Sequence, residues 1–402
     1  MGLHKLRETR SRLRTALALC VLSAAAMRLL CGLELHWRTS AVSDKLREID
    51  RIAASQYVGE WDAQTVGDRA AQGYVAGLGD RWSYYIPADQ YDAFCMEVEG
   101  QGCGIGVTVQ RTADSIRVSL VYDDSPAAAA GIRKGDYIVG ADGLTVEQDG
   151  TEAVVDAIRG EAGTEVAVSV RADGADTVRT LTLTRAVVTQ KIAWSARLTD
   201  TVGYIRLESF HVGAAAQFGA ALDALLADGV QALVIDVRHN GGGRVKEMSD
   251  ALDRLLPAGT IVTLRPKHGR ETVYTSDDDM IDLPLAVLID EQSISAAELF
   301  AAVLQEHGRA TLVGAHTTGK GRAQRTFELS DGSAINLSVE EYFTPHGRSL
   351  AGVGIAPDLA CSLSDEQQQA FFFLSPENDP QLQKALHAVQ QAAAQGRKAA
   401  EK

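Results

Sequence analysis

Ser295 and Lys320 carry the residue types that acyl transfer needs: a hydroxyl to attack a carbonyl carbon, and an amine to take the hydroxyl's proton. A lysine serves as a base near neutral pH only if burial or neighbouring charge lowers its pKa from about 10.4. Gly319 and Gly321 flank Lys320 and let backbone pack closely around it, and Gln324 is placed to fix the amine by a hydrogen bond. The chain has nine histidines, among them His239, His307, His316 and His346, but none carries a triad signature. Ser295-Ala296-Ala297-Glu298 reads as a capping box, and such a tetrapeptide taken alone is more often a helix cap than a nucleophile. The two roles are compatible, because a serine at a helix N-terminus sits beside unpaired N–H groups that can stabilise an oxyanion. Ser293 is the rival nucleophile. Gly314 to Lys320 imitates a phosphate-binding loop, but Gly321 stands where that loop needs Ser or Thr, and the residues after it read as a strand.

The elements that position these groups are legible around them. Leu285 to Ile289 is an apolar run of strand length, and the helical spacing of Leu299, Val303 and Leu304 follows Ser295. Ala310 to Val313 is a second apolar run, which leads to Lys320. Further back, Ala232 to Val237 is a fully apolar strand that ends in Arg238-His239-Asn240-Gly241-Gly242-Gly243, with helical periodicity resuming at Val245, Met248 and Leu252. Strand, glycine loop and helix in repetition predict α/β layering.

Residues 100 to 188 show short alternating runs, including Val166 to Val170 and Leu181 to Leu183, which predict a small β-rich domain. Gly102-Cys103-Gly104-Ile105-Gly106 is a turn able to aim successive N–H groups at a carboxylate. With Ser125-Pro126-Ala127, Gly131 to Ile138 and Asp142-Gly143, this region resembles a PDZ domain, a family that captures chain ends by strand addition. The amides from Gly104, Ile105, Gly106 and Val107 are then the expected carboxylate site, and Arg133 in the following loop is a candidate for reporting occupancy to the rest of the chain. Ahead of it, residues 42–96 read as helical, and the cluster Gly79 to Ile86 reads as packing between domains.

A net charge of −14 argues against a nucleic-acid partner. Five scattered cysteines form neither a disulfide framework nor a metal site, so no metal or other cofactor is expected. Lys5, Arg7, Arg10, Arg12 and Arg14 precede an apolar stretch interrupted by Arg28, which predicts a basic cytoplasmic segment at 1–14 and a single membrane anchor at 15–36. The remaining chain would lie outside the cytoplasm, and a secreted form after signal cleavage is the alternative.

The order of the PDZ-like region, Arg238-His239-Asn240-Gly241-Gly242-Gly243, Ser293 to Glu298, Thr318-Gly319-Lys320-Gly321, Leu329 to Ser333 and Tyr342 to Ser349 resembles the carboxyl-terminal processing proteases of family S41. The resemblance spans roughly residues 42 to 390. It implies an α/β multidomain chain, with a PDZ domain at 97–188 inserted between the helical region 42–96 and a protease core of crotonase-like layering at 189–375, and a helical tail at 376–402. It implies a serine endopeptidase with Ser295 as nucleophile, Lys320 as base, Gln324 orienting the lysine, and the amides of Ala296 and Gly242 as oxyanion donors. The implied partners are protein or peptide substrates with exposed C-termini; self-association is left open. Gly241 stands where the family usually has Pro, Ala297 where it has Ser, and Gln292 and Ile294 replace a usual Gly and Ala, yet no catalytic group is removed. The alternatives are a PDZ scaffold that binds tails without cutting and, on layering alone, an acyl-CoA enzyme.

Overall fold

The computed structural model describes residues 41–400. Among the described residues, 41–69 form a unit of their own, with a helix over 41–56 and the opening of the helix Ala63–Ala76. Among the described residues no helix is long and apolar enough to cross a membrane. The anchor expected at 15–36 lies outside the described residues.

In the second unit, the central sheet of the larger domain has six strands in the order Ala193–Arg197, Val202–Leu207, Ala232–Asp236, Leu285–Ile289, Ala310–Gly314 and Leu359–Ala360. Only the first pairing is antiparallel. A parallel sheet must be covered on both faces, which explains why Ala232–Asp236 and Leu285–Ile289 are buried at every position. One face packs on the helices Ala214–Ala227, Val245–Asp253 and Ala296–Glu306 through Phe218, Leu222, Leu252 and Phe300. The other face packs on Leu382, Ala385 and Val389 of the helix Pro380–Ala400, so the segment read from sequence as a helical tail forms part of the core.

A second, antiparallel sheet joins Tyr84–Ile86, Ala334–Phe343, Gly259–Pro266, Thr272–Ser276 and Arg322–Glu328. The aromatic cluster Gly79 to Ile86 therefore contributes a strand to the core domain. Its Ser83 hydroxyl accepts the Ser338 N–H at 3.0 Å.

The inserted β-rich domain holds a sheet in the order Val107–Arg111, Ile116–Val121, Tyr137–Ala141, Glu165–Arg171 and Val178–Thr184. Val166, Val168 and Val170 are fully buried and alternate with half-buried residues, the period-two signature of a strand with one face in a core. Ser125 caps the short helix Pro126–Ala129 by accepting the Ala128 N–H, and Thr145 caps Val146–Ile158 in the same way. Gly106 has to be glycine: its φ is +80°, and a Cβ there would lie 2.3 Å from the Ser125 Cβ. Cys95 and Cys103 are both free thiols.

Candidate active site

Three loops at the carboxyl ends of the central strands converge on one point. The strand Leu285–Ile289 turns through Asp290 to Ile294 and delivers Ser295 to the first turn of Ala296–Glu306. Ser295 has φ +60° and ψ −116°, a backbone conformation that a non-glycine residue holds only when its surroundings impose it. Ser293 is what imposes part of it: its fully buried hydroxyl donates to the Val237 carbonyl at 2.8 Å and accepts the Asp290 N–H. Ser293 is thus a brace for the turn.

The loop after Ala232–Asp236 is locked from beneath. The buried Arg238 guanidinium donates to Asp236 at 2.9 and 2.6 Å, to Asp379 at 2.8 and 3.2 Å and to Gln381 at 2.8 Å. Burial alone would raise the Asp236 carboxyl, but Arg238 overrides it and holds the group at about 2. Asn240 then pins the loop crown, with its Nδ2 donating to the Leu207 carbonyl and its own carbonyl accepting the Ile294 N–H. Gly242 lies directly against the serine: at φ +95°, a Cβ would come 2.8 Å from both the Ser295 Cβ and the Ile294 oxygen. Its N–H donates to Asn240 Oδ1 at 2.9 Å, so in this conformation it is committed there and not turned toward an oxyanion. The Ala296 N–H belongs to a first helical turn, where no intrahelical acceptor exists. A Cβ at Gly241 would meet nothing within 4 Å, so the loop has room for a larger residue there.

Glu298 joins the nucleophile loop to the base loop. Its carboxylate is fully buried and accepts four hydrogen bonds, from Ser295 N–H at 2.8 Å, Lys320 N–H at 2.9 Å, Gly319 N–H at 2.6 Å and the Thr317 hydroxyl at 2.6 Å. The sequence marks Glu298 only as a cap residue. Burial lowers the pKa of Lys320, and the Asp80 and Glu298 carboxylates offset part of that effect. The Lys320 ammonium stands 4.9 Å from the Trp82 ring centroid, so Trp82 belongs to the site and not merely to domain packing. Gln324 lines the same cavity, and its Nε2 donates to the Arg322 carbonyl and the Ser338 hydroxyl.

Ser295, Lys320, Gly242, Gln324 and Tyr342 share a cavity of about 780 Å³ whose far wall includes Thr108 and Tyr122 of the β-rich domain. His211 also lines it; burial lowers its pKa below 6.5, and its Nδ1 has no hydrogen-bond partner among the described residues. His239 sits 2.6 Å from Asp290, but its ring stacks on Phe371 with centroids 4.1 Å apart, and it does not line the cavity.

In the β-rich domain, Val107–Arg111 is an end strand with one edge unpaired among the described residues. Ile105 is buried in that domain's core, and the carbonyls of Ile105 and Gly106 accept the N–H groups of Ala127 and Tyr122, which fixes the turn. Arg133 does not reach the core domain. Its side chain is exposed and makes no hydrogen bond or ion pair among the described residues; it is Arg117, at 3.8 Å, and Lys134, at 5.5 Å, that lie over the Phe373 ring. No group of His, Cys, Asp and Glu among the described residues is arranged to hold a metal.

Residues 201–361 match the model of peptidase family S41, and residues 117–171 match a PDZ model. The chain is 32% identical over 323 residues to the carboxyl-terminal-processing protease of Picosynechococcus sp., covering 79% of this chain and 77% of that one. It is 32% identical over 313 residues to the carboxy-terminal-processing protease of Bartonella bacilliformis, covering 76% and 71%. Among solved structures, the photosystem II D1 C-terminal processing protease aligns with a TM-score of 0.50 at 29% identity, over 79% of this chain and 86% of that one.

Proposed function

Because the chain belongs to the carboxyl-terminal-processing serine peptidases of family S41, we propose that Ser295 is its nucleophile and Lys320 its general base, in an endopeptidase that takes protein substrates by their C-terminal tails. The observation that carries this reading is the Glu298 carboxylate, which binds the backbone N–H of both residues at once and so fixes nucleophile and base to a single anchor. Burial of Lys320 lowers its pKa, the direction in which the neutral amine the step requires becomes available. As Ser295 Oγ bonds to the scissile carbonyl carbon, its proton passes to Lys320 Nζ, and the lysine returns that proton to the leaving amine. Ala296 N–H stabilises the oxyanion, and Gly242 joins it once Asn240 Oδ1 releases the Gly242 N–H. Gln324 steadies the amine after turning from Ser338. Loss of casein hydrolysis in Ser295→Ala, with the melting temperature retained, tests the assignment, and a variant that still cuts would refute it; a tail-binding scaffold would be equally inert before and after the change.

On this reading, the tail pairs with the free edge of Val107–Arg111 and its carboxylate meets the amides from Gly104 to Val107. Occupancy is then reported through three consecutive phenylalanines, in place of Arg133. Phe373 lies under Arg117 of the PDZ domain, Phe372 packs edge-on against Phe371, and Phe371 stacks on His239, next to Asn240 in the glycine loop. A tail peptide should therefore stimulate cleavage of a short internal peptide in the parent protein and not in Phe373→Ala. Stimulation of equal size in both would refute the relay. The basic and then apolar amino terminus favours an enzyme anchored with its catalytic domain outside the cytoplasm. Cleavage of this domain by protease added to intact spheroplasts would support that placement, and protection until lysis would refute it.

A further inference from the structure

Tyr342 sits on the strand Ala334–Phe343 opposite Leu264, and its N–H donates to the Gly321 carbonyl at 3.2 Å. Its backbone is therefore fixed to the residue that follows Lys320. Its side chain is 1% exposed, lines the cavity with Ser295 and Lys320, and carries a hydroxyl with no hydrogen-bond partner among the described residues. A buried hydroxyl left unpaired costs stability, and phenylalanine would fill the same space without that cost. Ser295 lines the same cavity, and its hydroxyl tempers the rise that burial imposes on the phenol's pKa.

We propose that Tyr342 donates a hydrogen bond to Ser295 Oγ in the working enzyme, holding the nucleophile in its attacking rotamer and stabilising the charge that grows on Oγ as its proton leaves. The proposal rests on Ser295 being the nucleophile. Oγ has two lone pairs: one forms the bond to the carbonyl carbon, and the other accepts the Tyr342 O–H while the Oγ proton goes to Lys320 Nζ. Tyrosine begins and ends the step protonated, so protons and charge balance between serine and lysine alone. Burial, with the Glu298 carboxylate behind it, raises the phenol above its ordinary 10, which keeps the donor proton in place at any pH where the lysine works. The hydrogen bond is not closed in this structure, and it forms when the serine side chain rotates on substrate entry.

The experiment is steady-state cleavage of an internally quenched peptide by the full chain and by Tyr342→Phe and Ser295→Ala, with thermal melts of all three. The expected result for Tyr342→Phe is a kcat about 10- to 100-fold lower, the range a hydrogen bond to a charged acceptor supports, with KM within about twofold and the melting temperature equal or higher. The pH midpoint of kcat/KM should stay where Lys320 sets it. A kcat within about twofold of the parent overturns the proposal. So does a change confined to KM, which would make Tyr342 a substrate contact, or a lowered melting temperature, which would make its hydroxyl structural. Ser295→Ala keeps the two readings apart: if it retains activity, the nucleophile assignment has failed, whereas an inert Ser295→Ala beside an unimpaired Tyr342→Phe defeats only the inference about Tyr342.

Discussion

Glu298→Gln is the substitution that most sharply tests how the site is held together. The carboxylate offers one oxygen to Thr317 and Gly319 and the other to Ser295 and Lys320. A glutamine in the same place has one oxygen, so it satisfies one pair and turns an NH2 group against the donors of the other. Losing two bonds to a charged acceptor at about 1.5–3 kcal/mol each gives a destabilisation of about 3–6 kcal/mol, with the orphaned N–H groups buried. Against a net stability of roughly 5–15 kcal/mol this is a large share. At roughly 2–4 °C per kcal/mol for a domain of this size, the melting temperature should fall by about 6–24 °C. If Ser295 and Lys320 are orphaned, nucleophile and base lose their shared anchor; if Thr317 and Gly319 are, the loop that carries Lys320 loses its support. Circular-dichroism melts should be paired with peptide cleavage well below the variant's transition, where kcat should be down by at least about tenfold because residual activity then reads positioning and not unfolding. A melting temperature within about 2 °C of the parent, with cleavage intact, would refute the reasoning, because four satisfied donors cannot be worth so little.

Three further outcomes are expected. Gly242→Ala should lose nearly all kcat, because its Cβ would lie 2.8 Å from the Ser295 Cβ at a φ of +95°, whereas Gly241→Ala, with open space around its Cβ, should change stability by no more than about 0.5 kcal/mol; kinetics and chemical denaturation of the two compare them directly. Arg238→Ala leaves Asp236 and Asp379 buried and unpaired, and urea denaturation should report a loss of about 3–5 kcal/mol. Lys320→Arg should be as inactive in peptide cleavage as Lys320→Ala, since a guanidinium does not give up its proton to become a base.

Much of this site could be read from the chain because its parts are local. Ser295 follows an apolar strand and opens a helix within a dozen residues, and the run from Ala310 to Lys320 is equally compact, so period and turn chemistry were enough. What sequence did not reveal depends on pairings between distant segments. Arg238 finds Asp379 and Gln381 across 141 and 143 positions, and no local pattern joins them. That pairing, together with the apolar stripe of Pro380–Ala400, makes core out of what reads as a tail. Trp82 reaches Lys320 because Tyr84–Ile86 pairs with Ala334–Asn336; the aromatic cluster was visible, but its neighbour was not. Tyr342 reads as one more strand aromatic until the folded chain brings it to the wall of the cavity that Ser295 lines. Two expected contacts are made differently here, since Asn240 holds the Gly242 N–H and Ser338 holds the Gln324 amide. Side-chain competition of that kind has no sequence signature.

The pH dependence of kcat/KM tests the Ser/Lys assignment most directly, because Lys320 and His211 both line the cavity and both can act as a base once neutral. Burial lowers Lys320 from 10.5 and lowers His211 from 6.5. A base works in its neutral form, and the neutral fraction of either group grows as pH rises, so both models predict a rising limb and differ in where it lies. The account predicts a midpoint below 10.5 that is unmoved in His211→Gln and set by Lys320. A midpoint below 6.5 that disappears in His211→Gln would contradict it and make the histidine the base.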